Sequence, residues 1–252
     1  MRGLRAQDVG DGGHGLSPLA LAAVVVVRRG VVRYLAEERV SALGLQRVLG
    51  FGSYETAWAW LHKLRRAMVR PERERLSGVV EVDQSFLGGK SPGRRGPASG
   101  KAPVMIAVER ISAQRLGRIR LRVAKAPGTL ELVDFACEVI EPGSVIRTDG
   151  AAMFRRLAAL GYAHEPTAGS SAPDLDAVMP GAHLVSSLLK RWTAGTLHQR
   201  ISPQHLPYYL DEFTFRFNRR RSRARGMLFY RLLQQAAGTD PHPLTELTGR
   251  KP

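Results

Sequence analysis

The order of the apolar segments between residues 78 and 161 constrains the fold more than any other feature. Three strand-like runs come first, GVVEVDQSF, APVMIAVERI and GRIRLRVAK, and a helical pattern, GTLELVDFACEVI, follows them. A short strand, SVIRTD, then precedes a helix, AAMFRRLAAL, which ends at Gly161. HLVSSLLKRW predicts a further helix. Three successive strands followed by strand–helix alternation predict an α/β fold, a mixed sheet flanked by helices.

A helical region is predicted ahead of the first strand. SALGLQRVLG indicates a short helix, FGSY a turn, and ETAWAWLHKLRRAMVR a longer helix that Ser53 could cap. Trp58, Leu61 and Arg65 recur at the spacing of one helical face. This outline is typical of a helix-turn-helix and equally of an ordinary helix pair, and its basic residues favour DNA contact. The predicted organisation is therefore a poorly defined start (1–40), a helix-turn-helix-like region (41–76), a catalytic-type domain (77–237) and a tail (238–252).

The charge points to a polyanionic partner. Lys and Arg number 38 against 22 acids, a formal net charge of +16, which favours nucleic acid or an anionic membrane surface. The longest apolar run, Leu16 to Val27, is too short to span a bilayer. Asp8 and Asp11 argue against a signal peptide, so a cytoplasmic protein is expected. The single cysteine, Cys137, excludes a disulfide framework and is predicted to be a core residue.

A dense basic run marks the C-terminal part. RFNRRRSRAR holds six arginines in ten residues from Arg216 to Arg225, and such one-signed charge repels itself unless phosphates neutralise it. Aromatic residues precede and interleave this run at helical spacing, which predicts core positions rather than base-stacking platforms. The residues predicted to contact DNA are Lys63, Arg65, Arg66, Lys190, Arg191, Arg216, Arg219, Arg220, Arg221 and Arg223.

Two acids occupy matching places at the ends of predicted strands. Asp83 follows VEV and Asp149 follows VIRT, and each has glycine nearby. A carboxylate in an apolar strand is costly to bury without a partner, and Mg²⁺ or Mn²⁺ is a natural one. Two such acids on adjacent strands could clamp cations across a phosphate. Each acid alone also fits a turn or capping role, so the catalytic interpretation depends on the pair.

These residues carry a resemblance to a known family. VEVDQSFLGGK resembles the VEVDETYIGGK-type motif of bacterial insertion-sequence transposases of the DDE type, and the similarity continues through IAVER, GSVIRTDGAAMFRRLAALGY and DEFTFRFNRR, over roughly residues 41–237. It implies a ribonuclease-H-like fold and metal-dependent DNA cleavage and strand transfer with Mg²⁺ or Mn²⁺. It also implies transposon ends and target DNA as partners, a dimer or larger assembly on DNA, and a cytoplasmic, nucleoid-associated location.

The resemblance assigns roles to individual residues. Asp83 and Asp149 match the first two catalytic acids, His183 holds the third catalytic and metal-binding position, and Lys190 matches the lysine that follows. A histidine departs from the usual Glu or Asn. Three interpretations stay open for it: weak metal binding, contact with the scissile phosphate, or an impaired copy. His183 and Lys190 are seven residues apart and so share a helical face. Other candidates for the third ligand are Asp174, Asp176 and Glu212, the last interpreted as part of a solvated helix face.

Alternative functions stay open from the sequence. They are a non-catalytic DNA-binding protein, an inactive transposase copy, and a ribonuclease-H-like nuclease that cuts without joining. Family members often carry an N-terminal zinc ribbon with paired cysteines, which a chain with one cysteine cannot build.

Overall fold

A mixed sheet forms the centre of the protein. The computed structural model describes residues 41–69, 73–88, 101–125, 129–149, 154, 156–166, 179–197, 202–223, 225–240 and 242–249. Within them the sheet has five strands in the order β3-β2-β1-β4-β5. The strands are β1 (Val79–Leu87), β2 (Ala102–Ser112), β3 (Arg115–Val123), β4 (Val145–Thr148) and β5 (Ala163–Pro166). β1, β2 and β3 pair antiparallel, whereas β4 is parallel to both β1 and β5. The predicted α/β fold with a mixed sheet is confirmed.

Helices surround this sheet. They are α1 (Ala42–Leu49), α2 (Tyr54–Ala67), α3 (Thr129–Val139), α4 (Arg156–Ala159), α5 (Pro180–Leu197), α6 (Leu206–Asn218), α7 (Arg225–Ala237) and α8 (Leu244–Thr248). None of the helices in the described ranges is long and apolar enough to cross a membrane.

The structure contains two elements that the sequence did not predict. The stretch predicted as a tail, 238–252, contains the short helix α8. Strand β5 was not predicted, because AHEP is short, polar and ends in proline. The predicted start (1–40), most of the Gly- and Pro-rich loop (91–100), and both Asp174 and Asp176 lie outside the described residues. The helix predicted from Ala151 is described as α4 alone.

The two faces of the sheet bury separate apolar clusters. Strand residues Val80, Val82, Met105, Ala107 and Ile146 pack with Leu132, Phe135 and Ala136 of α3. Cys137 packs against this cluster, so its predicted core position is confirmed. On the other face Val104, Ile106, Ile119 and Leu121 pack with Val185, Leu189, Trp192, Leu210, Phe213 and Phe217 of α5 and α6. The sheet therefore lies between α3 on one side and α5 with α6 on the other.

The helix pair ahead of the sheet forms as predicted and packs on the catalytic-type domain. Ser53 Oγ accepts the Thr56 N–H at 3.3 Å and begins α2. α1 ends at Gly50, whose φ of 67° is left-handed. Leu45, Ala57, Leu61 and Leu64 form the contact between α1 and α2. The end of α2 packs on α6 and α7 through Ala67, Met68, Phe215, Leu232 and Ala236.

The outer edge of β3 is closed by the C-terminal end of α6. Asn218 Oδ1 accepts the Ile119 N–H at 2.7 Å, and Asn218 Nδ2 donates to Ile119 O at 3.2 Å. Arg220 Nη2 donates to Leu116 O at 2.6 Å. These side chains satisfy backbone groups that an open edge would present to another chain.

Candidate active site

One face of β1 carries three polar side chains. Glu81, Asp83 and Ser85 lie on the same face because side chains alternate along a strand. Helix α5 crosses this face and contacts β1 on either side of Asp83, at Glu81 and at Ser85. Ala182 N–H donates to Glu81 Oε2 at 2.7 Å, and the hydroxyls of Ser85 and Ser186 are 2.7 Å apart. Asp83 lies between these two contacts, so α5 is fixed directly above it.

Glu81 holds the start of α5. Its side chain is 1% exposed, and Arg110 Nε lies 3.3 Å from its other oxygen. α5 begins with Pro180, which has no N–H to satisfy, and the Glu81 carboxylate suits the positive end of the helix dipole. A Cβ added to Gly181 would come 2.8 Å from Glu81 Oε2, so the close approach needs glycine. Sequence reasoning missed Glu81, although an acid inside the apolar run VVEV was the available signal.

Asp83 faces the third predicted site residue. Its Oδ2 is 4.0 Å from His183 Nε2, with 20% of the Asp83 side chain and 27% of the His183 side chain exposed. Asp83 Oδ1 accepts the N–H of Gln84 at 2.7 Å. The carboxylate is therefore oriented by its own backbone, reaches solvent, and points toward the first turn of α5.

Asp149 lies at the same level on the neighbouring strand. β1 and β4 are parallel and pair Glu81 with Arg147, so two residues further along each strand lead to Asp83 and Asp149. Thr148, which immediately precedes Asp149, is buried, and its Oγ1 is 3.0 Å from His164 Nε2. This contact ties the end of β4 to β5, while Asp149 itself is exposed.

Three of the predicted site residues act on the carboxylate of the fourth, Asp83. Burial raises the pKa of Asp83, and the charge of Asp149 raises it further. The Gln84 N–H and the charges of His183 and Lys190 act in the opposite direction and lower that pKa. Since His183 and Lys190 both influence Asp83, they face the same side of α5, as their spacing predicted. The charges of Asp149, His183 and Lys190 thus all act on the Asp83 carboxylate, and His183 Nε2 lies 4.0 Å from it.

The donor set suits a divalent cation. In the described ranges no three His, Cys, Asp or Glu side chains are grouped closely enough to hold a metal ion. Carboxylate oxygens are nevertheless the ligands that Mg²⁺ and Mn²⁺ prefer. Burial is the main cause of the raised pKa of Asp83, and the charge of Asp149 adds a smaller cost because it places a second carboxylate nearby. A cation between the two acids would remove that cost, so Asp83 and Asp149 fit the predicted metal.

The predicted DNA contact of Arg65 is wrong. Arg65 is 5% exposed, and its Nε donates to Glu212 Oε2 at 2.8 Å. Its guanidinium also lies 4.4 Å from the Tyr209 ring centroid. The interpretation of Glu212 as part of a solvated face is wrong as well, because Glu212 is 5% exposed and its second oxygen accepts from Arg216 at 2.9 Å. Arginines occupy both Glu212 oxygens, so Glu212 is not a candidate metal ligand.

The remaining predicted DNA contacts divide into two groups. Arg216 binds Glu212, Arg219 stacks 4.0 Å from the Phe215 ring centroid, and Arg220 donates to the backbone of β3. These arginines help to hold α6 in place. The exposed members are Arg66, Lys190, Arg191, Arg221 and Arg223, while Lys63 is half-buried. The aromatic side chains Phe213, Phe215 and Phe217 are buried, which confirms their predicted core position.

A comparison with known families identifies the class of protein. The profile of the ISXO2-like transposase domain matches residues 75–218, more than half of the chain. The match starts just before β1, ends with α6, and includes Asp83, Asp149, His183 and Lys190. The chain belongs to this family of insertion-sequence DDE transposases, and its five-stranded mixed sheet with flanking helices agrees with a ribonuclease-H-like fold. No curated protein matches the chain.

Proposed function

We propose that this protein cuts DNA at the ends of an insertion sequence and joins the freed ends to target DNA, using Mg²⁺ or Mn²⁺. The observation that supports this most is the convergence of Asp149, His183 and Lys190 on the Asp83 carboxylate. Two phosphoryl transfers follow each other at this site. Water first attacks the phosphodiester at the element's end and breaks its bond to the 3′ oxygen, which leaves a 3′ hydroxyl and a 5′ phosphate. That 3′ hydroxyl then attacks a phosphodiester of the target, forms the new phosphodiester and displaces a 3′ hydroxyl of the target strand.

Each residue of the site has a distinct task. Asp83 and Asp149 would hold the cation, which when bound favours deprotonation of the attacking oxygen and stabilises charge on the phosphate. His183, whose Nε2 is 4.0 Å from Asp83 Oδ2, completes the site from the first turn of α5. Lys190 lies two turns further along on the same side and binds a phosphate oxygen beside the cut.

Exposed cations extend the proposed DNA surface beyond the site. Arg191 follows Lys190 on α5, and Arg221 and Arg223 follow the end of α6. Such contacts position the duplex without reading its sequence. Joining two ends in one event requires two active sites, so the working form is a dimer or larger assembly on DNA. Because its proposed partner is DNA, we expect the protein at the nucleoid, in the cytoplasm.

A cleavage and strand-transfer assay tests the proposal. The substrate is labelled DNA carrying the element's own ends, with Mg²⁺ or Mn²⁺ supplied, and wild type is compared with Asp83→Asn, Asp149→Asn and His183→Gln. The matched control is Asp134→Asn, which removes an exposed carboxylate from α3 on the opposite side of the sheet. We expect joined products from wild type and control, and a loss of about a thousandfold or more in both site Asp variants.

The products separate the proposal from its rivals. Nicked DNA without joined molecules would identify a nuclease, and DNA binding without any cut would identify a binding protein or an inactive copy. The His183→Gln variant decides the third position: a loss that Mn²⁺ partly restores indicates a metal ligand, whereas an equal loss with both metals indicates a phosphate contact.

A further inference from the structure

A cleft at the outer edge of β3 gathers arginines from four parts of the chain. It has a volume of about 200 Å³ and lies where the segment before β1, strand β3 and helices α6 and α7 meet. The charged residues of this arginine cleft are Arg73, Glu74, Arg118, Arg120, Arg219 and Arg231. Arg118 and Arg120 alternate with the apolar residues Ile119 and Leu121 along β3, so the two arginines lie on one face of that strand. The established family and the proposed catalytic site leave this cleft without a role.

The acids of the cleft neutralise only part of its charge. Arg118 is bound by Glu109 at 2.7 Å and by Glu74 at 2.8 Å. Arg120 is 4% exposed, and its guanidinium donates to two backbone carbonyls, Ile119 O at 3.0 Å and Glu74 O at 2.5 Å. Burial, together with the charges of Arg73 and Arg118, lowers the pKa of Arg120 to about 10. Cations are thus held close together at a cost in free energy.

Two neighbouring groups bear on the charge and polarity of the cleft. Burial raises the pKa of Asp211, which lies near Arg73 and Arg66, to about 7. This carboxyl is therefore only partly ionised at neutral pH, and together with Glu138 it offsets part of the charge of Arg73. Gln235 also lines the cleft, and its buried Oε1 has no hydrogen-bond partner among the residues that the structure describes. Because the amide oxygen and nitrogen are interchangeable by rotation, Gln235 can turn an N–H donor toward an anion.

We propose that the arginine cleft binds a phosphate group. Guanidinium forks match phosphate oxygens, and a cavity of about 200 Å³ has room for a phosphate with bound water. The phosphate comes either from the DNA backbone or from a free phosphate compound. Arg120 pairs with Ala107 on the face of the sheet that packs on α3, opposite to Asp83. A DNA phosphate here would be a second contact, away from the cut, and that source rests on the proposed function.

Phosphate binding is tested first without DNA. The full chain is titrated with inorganic phosphate and pyrophosphate by calorimetry and by thermal unfolding, at an ionic strength held constant with chloride. Arg73→Gln and Arg231→Gln change half-buried and exposed residues, so the fold should survive. Arg115→Gln removes the same charge from an exposed position of β3 outside the cleft. We expect each cleft variant to bind phosphate about tenfold more weakly and the control to match wild type.

DNA binding distinguishes the two sources. The affinity for a non-specific duplex is measured against salt concentration, where each lost phosphate contact reduces the logarithmic slope by about 0.9. A smaller slope in Arg73→Gln and Arg231→Gln, with competition by pyrophosphate, identifies the DNA backbone. An unchanged slope with weaker phosphate binding identifies a free phosphate compound. The proposal is overturned if phosphate binds no better than chloride and both cleft variants equal Arg115→Gln in the two assays.

The catalytic variant separates this result from the proposed function. Asp83→Asn should lose DNA joining yet keep the phosphate response and the salt slope of wild type. A wild-type protein that never joins DNA but binds phosphate through Arg73 and Arg231 would refute the proposed function and leave the cleft intact.

Discussion

Two polar regions of the molecule differ in whether their carboxylates are paired with cations of the chain. In the acid site, formed by Asp83, Asp149 and His183, a second carboxylate raises the pKa of a half-buried one. In the buried seam between α2 and α6, formed by His62, Arg65, Glu212 and Arg216, one carboxylate receives an arginine on each oxygen at 2.8 and 2.9 Å. The Glu212 carboxylate of the seam is satisfied within the chain, whereas the acid site favours a ligand from outside.

Because of this difference, substitutions in the seam should lower stability, whereas substitutions in the acid site should lower activity. Removing one partner of the seam leaves a buried charge behind, which is costly. Replacing the Asp83 carboxylate removes a charge whose burial is unfavourable, and should cost activity alone. Active sites commonly hold such unfavourable groups, with stability supplied elsewhere in the fold.

The largest effect is expected at Asp83. Asp83→Asn should lower DNA joining by about a thousandfold or more and raise stability by about 1 kcal/mol. The folded-state pKa of Asp83 is above its unfolded value, so wild-type stability falls as pH rises from the unfolded pKa through the folded one. Thermal unfolding between pH 4 and 8, in the range where carboxyls titrate, should show this fall in wild type and less of it in the variant. An Asp83→Asn variant that is less stable than wild type would contradict this comparison of the acid site with the seam.

The next effect is expected in the seam. Glu212→Gln should destabilise the fold by about 3 kcal/mol, because Arg65 loses its counter-charge while 5% exposed. Urea unfolding measures this, with Glu141→Gln as a control that removes an exposed acid. Joining per folded molecule should stay at the wild-type level. A Glu212→Gln variant that is as stable as wild type but inactive would show that Glu212 takes part in catalysis.

A smaller effect is expected where Glu81 positions α5. Glu81→Gln keeps the shape and an oxygen for the Ala182 N–H but loses the charge that faces Arg110. The joining rate should fall about 10–100-fold, as expected when a supporting contact loosens a site, while DNA affinity stays unchanged. Rate and affinity are measured separately on the same substrate. Equal losses in both would show that Glu81 supports DNA binding rather than the geometry of the site.

The smallest effect is a pH dependence from the seam. Burial, reinforced by Arg65 and two histidines, lowers the pKa of His62 to about 3 from 6.5. Between these two pKa values His62 is protonated in the unfolded chain and neutral in the folded one. The free energy of unfolding therefore falls as pH drops below about 6.5, by about 2 kcal/mol at pH 5. Within the described part of the chain, neither ring nitrogen of His62 has a hydrogen-bond partner. His62→Leu should flatten this dependence in thermal unfolding, and an unchanged slope would assign it to another group.

Local patterns in the sequence were enough for the elements and the acids. Short runs rich in apolar and β-branched residues predicted β1, β2 and β3, and helical spacing predicted α2 and α5. The Ser53 cap was found because it acts on an N–H three residues away. Asp83 was identified because an acid within an apolar strand stands out against its immediate neighbours. Each of these signals acts over a few residues and is visible without the fold.

Pairings between distant residues were decided by the tertiary structure alone. Glu81 meets α5 across 101 residues, and Arg65 meets Glu212 across 147. In the sequence Arg65 and Glu212 look like surface charges, since nothing nearby indicates that each has a partner. The gathering of Arg73, Arg120 and Arg231 in one cleft is equally invisible. A charge is classified by what lies within a few ångströms of it, and only the packing of β3, α6 and α7 brings these groups that close.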